Sequence, residues 1–294
     1  MSKLTNLLWA ILATLVAMPA MAQGVVVFKK DGSRVVFPYE TIDSIVTYNY
    51  DETPPTGGNT TQDGENKVYT VNGVSFTMVA VKGGTFTMGA TAEQIGAESD
   101  ESPTHSVTLS DYYIGETEVT QELWQAVMGS NPSRFTGNMQ RPVEDVFWND
   151  CQTFITKLNE LTGESFALPT EAQWEYAARG GKSTKGYLYS GSNSIADVAW
   201  YRDNSSLTTH PVKSKSPNEL GLYDMSGNVW EWCADWFGSY SSTSQTNPIG
   251  PSTGSDRVLR GGSWLFNAAY CRIAYRFSLT PTNAYGNFGL RLAH

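Results

Sequence analysis

The residues best suited to chemistry lie between positions 221 and 236, in the stretch GLYDMSGNVWEWCADW. Three tryptophans and two glycines stand among four carboxylate or amide side chains, Asp224, Asn228, Glu231 and Asp235. A buried carboxylate without a partner is costly, and hard oxygen ligands at close spacing suit calcium. Glycines let the backbone bend, so that carbonyl oxygens can also reach an ion. The stretch therefore predicts a calcium site, and the alternative is a tryptophan-rich core strand with solvated acids.

The same stretch carries a family resemblance. Residues 221–232 resemble the signature of the formylglycine-generating enzyme (sulfatase-modifying factor) family. Further blocks resemble that family in the same order: 83–89 (GGTFTMG), 116–120 (ETEVT), 141–143 (RPV), 148–150 (WND), 168–181 (LPTEAQWEYAARGG), 260–264 (RGGSW) and 289–291 (GLR). The resemblance covers residues 69–294. It implies an α+β fold that is irregular, loop-rich and C-type-lectin-like.

The resemblance also implies two calcium sites. The first would use the side chains of Asp224 and Glu231 with the main-chain carbonyls of Gly227 and Val229. Oxygens at these alternating positions can meet at one ion if the backbone turns at Gly227. The second site would fall on a shorter loop, at Asp197, Val198, Asn204 and Ser206.

Catalytic members of this family, as the resemblance implies, oxidise a substrate cysteine with a copper ion held by two thiolates. Two soft sulfur donors are the minimum for a linear Cu(I) site. The family pattern places them after the Gly-Gly-Ser block, at positions that are Phe266 and Cys271 in this chain. Ser263 matches an active-site serine of the family. Because one thiol is missing, Cys271 and Ser263 would be catalytic only in an oxidase that uses Cys271 in another way.

The chain has three cysteines, Cys151, Cys233 and Cys271. Cys151 lies on the apolar face of a predicted helix, so we expect it to be a buried and free thiol. An exported protein can form disulfides, although a sequence alone does not give their connectivity. A bridge between Cys233 and Cys271 would fasten the tryptophan-rich stretch to the C-terminal loops, and this is the pairing we expect.

Residues 265–288 show neither helical nor strand periodicity and are rich in Tyr, Phe, Ser, Asn, Gly and Ala, as antibody contact loops are. They contain no Lys, Glu, Gln, Met or Trp. In this they are similar to the C-terminal variable regions of diversity-generating retroelement target proteins, which use the same lectin-like scaffold; family drift explains the composition about as well. Exposed aromatic side chains mark recognition surfaces. We therefore expect the ligand-binding residues to be Phe266, Tyr270, Tyr275, Phe277 and Tyr285.

The 294 residues divide into four segments by pattern. Residues 1–22 have the positive start, apolar run and small-residue cleavage site of a secretory signal peptide, and the run is too short to predict a membrane span. Residues 23–50 predict a small β-hairpin unit around an Asp-Gly turn at 31–32, and residues 51–68 predict a flexible linker. Residues 69–294 form the main domain. We expect a secreted or periplasmic protein with no membrane span in the mature chain.

The formal net charge of −9 argues against a nucleic-acid or anionic-membrane partner. Three helices are predicted, at 121–128, at 150–161 and after a capping box that begins at Thr170. The sequence favours an exported, calcium-stabilised module that binds a protein, peptide or glycan ligand through loops 265–288. The alternative is a formylglycine-generating oxidase that holds copper, and a purely structural surface protein is a third possibility.

Overall fold

A computed structural model describes two N-terminal strands and all of residues 65–294. The N-terminal strands, β1 (Gly24–Phe28) and β2 (Arg34–Pro38), pair antiparallel with Val26 opposite Val36. These strands flank the Asp-Gly turn from which the hairpin was predicted. The predicted signal peptide, the turn itself and residues 51–64 of the predicted linker lie outside the described residues.

Short strands and helices joined by long irregular segments make up residues 65–294, which confirms the α+β, loop-rich architecture. The strands are β3 (Lys67–Val71), β4 (Val74–Val81), β5 (Gly84–Met88), β6 (His105–Leu109), β7 (Tyr112–Gly115), β8 (Trp230–Trp236), β9 (Gln245–Thr246), β10 (Arg257–Arg260), β11 (Phe277–Leu279) and β12 (Phe288–Leu290). The helices are α1 (Gln121–Met128), α2 (Trp148–Thr162), α3 (Glu171–Ala178) and α4 (Ile195–Val198).

Helices α1, α2 and α3 confirm the three predicted helices. Thr120 caps α1 by accepting the backbone N–H of Leu123, and Gly129 ends the helix at positive φ. Thr170 and Gln173 form the predicted capping box at the start of α3, each side chain accepting the other residue's N–H. No helix in residues 65–294 combines the length and the hydrophobicity needed to cross a bilayer.

Three small sheets form within residues 65–294. The largest has the order β11-β10-β8-β12, and the others have the orders β3-β4-β7 and β5-β6-β9. Strand β8, which contains the tryptophan-rich stretch, pairs antiparallel with β10 and parallel with β12. Successive side chains of a strand point to opposite faces. Accordingly, Trp230 and Trp232 pack in the hydrophobic cluster that includes α1 and α2, while Cys233 packs in the cluster that includes α3.

The structure shows that the predicted disulfide is wrong. Cys151, Cys233 and Cys271 are all free and buried. Cys233 lies in β8, whereas Cys271 packs with Tyr189 and Ala199 in a third, smaller cluster. The two cysteines belong to separate packing environments, so no bridge joins them. Cys151 is buried and free as expected, and it packs among the apolar residues of α2.

Buried ion pairs, rather than a disulfide, fasten the C-terminal segments. Four arginines from the end of the chain pair with glutamates from earlier segments, and these pairs are Arg260–Glu175, Arg272–Glu101, Arg276–Glu171 and Arg291–Glu231. All of these side chains are buried. Removing one partner from such a pair leaves an uncompensated buried charge, which is strongly destabilising. The pairs therefore explain how long irregular segments keep a single arrangement.

The substitution Arg272→Ala should lower the free energy of unfolding by about 3–5 kcal/mol. Its guanidinium donates to both oxygens of Glu101, at 2.7 and 2.5 Å, and Glu101 would remain buried without it. Chemical denaturation followed by tryptophan fluorescence measures the change. As a control, Asp111→Asn removes an exposed, solvent-screened ion pair with Lys82 and should leave the free energy of unfolding nearly unchanged. Equal losses in the two variants would contradict this role for the buried pairs.

Candidate functional site

The turn that precedes β8 has an unusual backbone. Asp224, Gly227 and Asn228 have positive φ values of 58°, 83° and 57°. A Cβ atom at Gly227 would lie 2.3 Å from the carbonyl oxygen of Trp200, so this position requires glycine. The N–H of Asn228 donates to the same carbonyl at 2.8 Å. Residues 224–229 therefore form a tight turn with buried polar groups, as the calcium hypothesis requires.

Glu231, one of the predicted calcium ligands, is held by an arginine. Nε of Arg291 donates to both of its oxygens, at 3.1 and 2.9 Å, and Nη2 donates to Oε1 at 2.7 Å. Nε1 of Trp174 donates to Oε2 at 2.7 Å. The Glu231 carboxylate is therefore fully paired inside the core.

Asp224, the other predicted side-chain ligand, is only half satisfied. Its Oδ2 accepts the backbone N–H of Lys213 at 2.9 Å, whereas its Oδ1 is buried without a hydrogen-bond partner. Asp224 is 3% exposed, and this burial raises the pKa of its carboxyl group to about 6. A hard oxygen atom without a partner is the kind of donor that a calcium ion would use.

Glu118 lies beside Asp224 and was not predicted. Its oxygens accept the N–H of Val229 at 3.0 Å and Nδ2 of Asn228 at 2.7 Å. Burial and the charge of Asp224 raise the pKa of Glu118 well above its usual range. Arg291 forms its ion pair with Glu231. The neighbouring carboxyl groups of Glu118 and Asp224 therefore have no cation of their own in residues 65–294 to balance them.

These groups fit a calcium ion in part. Asp224 keeps one unpaired carboxylate oxygen, whereas the ion pair with Arg291 occupies Glu231. In residues 65–294, no three side chains of His, Cys, Asp or Glu come together as a potential metal site. A calcium ion here would therefore depend on main-chain carbonyl oxygens as well as on Asp224.

The predicted second calcium site lies around α4. Asp197 and Val198 stand at the end of that helix, and Ser206 lies at a positive φ of 55°. Oδ1 of Asn204 accepts the N–H of Tyr201 at 2.8 Å. The amide of Asn204 therefore shapes its own turn, and its oxygen already has a partner.

The position of the family copper site contains a single enclosed thiol. Cys271 is fully buried, and burial raises the pKa of its thiol to about 12. A Cβ atom on Gly262 would lie 2.6 Å from its Sγ atom. Ser263 is also fully buried, and its Oγ accepts Nδ2 of Asn287 at 3.2 Å. Since the thiolate is the form that binds metals, these residues do not fit a copper ion.

Four of the five aromatic residues predicted to bind a ligand gather around Trp230. The rings of Phe266, Tyr275 and Phe277 lie 5.7, 6.0 and 5.3 Å from the Trp230 ring. Tyr270 contacts Phe266 at 5.0 Å and Tyr275 at 4.9 Å. Trp230 is fully buried, while the four surrounding residues are half-buried. They therefore cover the core with one face and present another to solvent.

Tyr285 extends this group at its edge. It is 54% exposed and packs edge-on against Phe288 at 5.3 Å, and Phe288 in turn contacts Phe277. We call the set of five residues the aromatic surface; its members are Phe266, Tyr270, Tyr275, Phe277 and Tyr285. The structure thus places all five predicted residues in one connected region.

Buried contacts hold the loops that carry the aromatic surface. Nε1 of Trp264 donates to the carbonyl of Gly286 at 2.8 Å, which joins the two ends of the region. Between them, the ion pair of Arg272 with Glu101 anchors the segment that follows Tyr270. A surface held in this way loses little conformational entropy when it binds, which favours affinity.

Acidic side chains lie beside the aromatic surface. Burial, followed by the neighbouring Tyr270, Asp100 and Glu98, raises the pKa of Tyr275 to about 12. Glu98 is exposed and Asp100 is half-exposed. The aromatic surface therefore has an acidic margin.

Glu118 and Arg291 also shape the site, and neither was predicted from the sequence. Each stands in a block that resembles the family, at 116–120 and at 289–291. A carboxylate among buried tryptophans needs a cation or a metal, and Arg291 was an available cation. The family-like block at 289–291 contains Arg291, but only the folded structure brings Arg291 next to Glu231.

Comparison with known proteins gives the family. A model of the sulfatase-modifying factor enzyme 1-like domain matches residues 67–294. The formylglycine-generating enzyme of Streptomyces coelicolor is 32% identical over 284 residues, which cover 74% of this chain and 88% of that protein. The chaperone protein LppX of Paenibacillus barcinonensis is 34% identical over 269 residues, which cover 74% of this chain and 89% of that protein.

Two solved structures share the fold. Treponema denticola variable protein 1 has a TM-score of 0.71 and 38% identity, covering 78% of this chain and 98% of that one. PvdO from Pseudomonas aeruginosa has a TM-score of 0.68 and 26% identity, and the match covers 79% of this chain and 98% of PvdO. These likenesses confirm the predicted C-type-lectin-like fold of the family.

All three thiols should resist alkylation in the native protein. Burial raises the pKa of Cys151, Cys233 and Cys271, and the reactive form is the thiolate. After denaturation without reductant, all three should react, because none is bridged. Intact-mass measurement after iodoacetamide treatment counts the adducts. A single adduct on the denatured, unreduced chain would show a disulfide and contradict the structure.

Proposed function

We propose that this chain, which belongs to the sulfatase-modifying factor family, is a ligand-binding module that uses the aromatic surface on loops 265–288. The placement of Phe266 carries the proposal. Phe266 stands where the pattern of catalytic relatives has a copper-binding cysteine, and it packs against Trp230 and Tyr270 instead. Phenylalanine at position 266 therefore lacks the sulfur that would bind copper and instead supplies an aromatic ring for contact with a ligand.

The thiol that remains supports binding over oxidation. Cys271 is buried, and its raised pKa keeps it protonated near neutral pH. A single protonated thiol lacks both the second sulfur donor and the charge that Cu(I) binding uses. The formylglycine-generating oxidase remains the second candidate function, because the chain is similar to the Streptomyces coelicolor enzyme.

The chemistry of the aromatic surface suggests a class of ligand. Tyrosine and phenylalanine rings supply contact area at low entropic cost and serve protein, peptide and glycan ligands. The acidic margin formed by Glu98 and Asp100 favours ligands that carry basic groups. The restricted composition of residues 265–288 and the similarity to Treponema denticola variable protein 1 both support recognition by a surface that varies in sequence.

The proposed setting is outside the cytoplasm. The features of residues 1–22 are those of a secretory signal peptide. A protein exported from the cytoplasm meets peptides and glycans outside it, which suits a binding module.

We further propose that Asp224 contributes to a calcium site. Its unpaired Oδ1 atom and the carbonyls of Gly227 and Val229 would hold the ion, and Glu231 would remain paired with Arg291. When bound, calcium would supply the positive charge that this carboxyl-rich region lacks. The ion would then stabilise the turn at residues 224–229.

Calcium should raise the thermal midpoint of the wild-type protein, because an ion that binds only the native state stabilises it by mass action. Thermal melts in millimolar calcium and in chelator measure the shift. Asp224→Asn should remove the response, while Asp111→Asn, which changes an exposed acid, should retain it. Identical melts with calcium and with chelator would show that Asp224 is a buried acid without a metal.

Alanine at Tyr270, Tyr275 and Tyr285 together should weaken binding to any ligand found on peptide and glycan arrays by at least about tenfold. Buried aromatic contacts are frequent hot spots, and a tenfold change corresponds to about 1.4 kcal/mol. Binding isotherms of the wild type and the variant measure the effect. Alanine at Val68 of β3 and Leu161 of α2, two exposed apolar residues outside loops 265–288, provides the matched control and should leave binding unchanged.

The same preparations separate the two candidate functions. The wild type should not oxidise a Cys-x-Pro-x-Arg peptide, with or without added copper, because one thiol is absent and the other is enclosed. Mass spectrometry of the peptide detects conversion of cysteine to formylglycine. Turnover by the wild type would contradict the binding proposal and support the oxidase. If the variant with alanine at Tyr270, Tyr275 and Tyr285 still bound the array ligand, the aromatic surface would be excluded as the contact region.

A further inference from the structure

A second concave site shares no residue with the aromatic surface. It lies between the start of α3, the end of β8 and loop 237–251, and its volume is about 360 Å³. Asp235, His105, Tyr240, Pro248 and Pro251 are among the residues that line it. Concave sites with apolar walls and a few polar groups are typical of small-molecule binding.

Asp235 is the unusual residue of this cavity. It is 5% exposed, and its Oδ2 accepts the N–H of Glu171 at 2.9 Å. Burial and the charge of Glu171 raise the pKa of the Asp235 carboxyl to about 7. Within residues 65–294 it forms no ion pair, unlike the carboxylates of Glu171 and Glu175. A buried carboxylate in this position gains from any ligand that brings a positive charge.

The guanidinium groups near Asp235 are already engaged. Arg276 donates from Nε and Nη2 to Glu171, at 2.6 and 2.8 Å. Arg257 lies 3.5 Å above the centre of the Trp236 ring. Neither guanidinium forms an ion pair with Asp235. Arg276 lines the cavity and is paired with Glu171, whereas Arg257 forms no ion pair with a carboxylate in residues 65–294. Both guanidinium groups act on Asp235 electrostatically, but neither lies within ion-pair distance of it, so the Asp235 carboxylate has no direct ion-pair partner there.

We propose that this cavity binds a primary ammonium group, carried by a free alkylamine or by a lysine side chain, with Asp235 as its counter-ion. Tyr240, Pro248 and Pro251 provide apolar walls for the alkyl chain. Of the two carboxylates that line the cavity, Glu171 is paired with Arg276 and only Asp235 has no ion-pair partner in residues 65–294. One unpaired carboxylate with apolar walls suits an ammonium group better than a calcium ion, which requires six or more oxygen ligands. A Cβ atom on Gly250 would lie 2.9 Å from Cβ of Asp235, so the loop closes directly over the acid.

Ligand-observed NMR on the full chain tests the proposal with defined probes. At about pH 8, where the acid is ionised, n-butylammonium should give saturable binding in the millimolar range, as expected for so small a ligand. The uncharged analogue n-butanol should bind at least about tenfold more weakly. Nα-acetyl-lysine amide distinguishes the two sources: tighter binding than n-butylammonium indicates a lysine of a peptide, and weaker binding indicates a free amine.

The substitution Asp235→Asn should reduce n-butylammonium binding to the level of n-butanol. Asparagine keeps an oxygen that can accept the Glu171 N–H, so the fold should persist. Tyr285→Ala, on the aromatic surface, should bind the amine as the wild type does, which separates this inference from the proposed function. If Asp235→Asn does not fold, the proposal is tested by comparing the affinities of n-butylammonium and n-butanol for the wild type. Equal binding of amine and alcohol, or full amine binding by folded Asp235→Asn, would overturn the proposal.

Discussion

The arrangement of the domain depends on how the guanidinium of Arg291 is bound. Besides Glu231, it donates to the carbonyls of Gly115 and Tyr223, at 2.8 and 2.7 Å. Trp174 of α3 donates to the same Glu231 carboxylate. A planar group with five N–H donors satisfies all of these partners in only one geometry. The end of the chain, the central strand β8, strand β7 and α3 therefore have fixed relative positions.

Along the C-terminal segment, structural and contact residues alternate. Arg272 and Arg276 are buried in ion pairs, while Tyr275 and Phe277 beside them are half-exposed. The arginines fix the segment to earlier parts of the chain, and the aromatic side chains between them pack on the core with one face and present the other to solvent. Contact residues can therefore change without the loss of a buried ion pair. Such a division suits a scaffold that recognises different ligands with one backbone.

The parts of the structure that depend on neighbours in sequence were predictable. The capping box at Thr170 placed α3, and the ordered family blocks gave the fold. Partners distant in sequence were not predictable. Glu231 looked like a metal ligand because its sequence neighbours include oxygen donors, yet its partner Arg291 comes from the last strand region. The predicted disulfide is wrong because Cys233 and Cys271, which are 38 residues apart in sequence, pack in different clusters.

The packing of Phe266 bears on how such domains change activity during evolution. A cysteine at this position would remove a ring that contacts Trp230 and Tyr270, at a cost of about 1–3 kcal/mol for a half-buried side chain. It would not release Cys271, which lies against Gly262. The substitution Phe266→Cys would thus reduce stability without exposing Cys271. In a domain with this packing, a second thiol at position 266 carries a cost in stability, so it is not easily acquired by a single mutation.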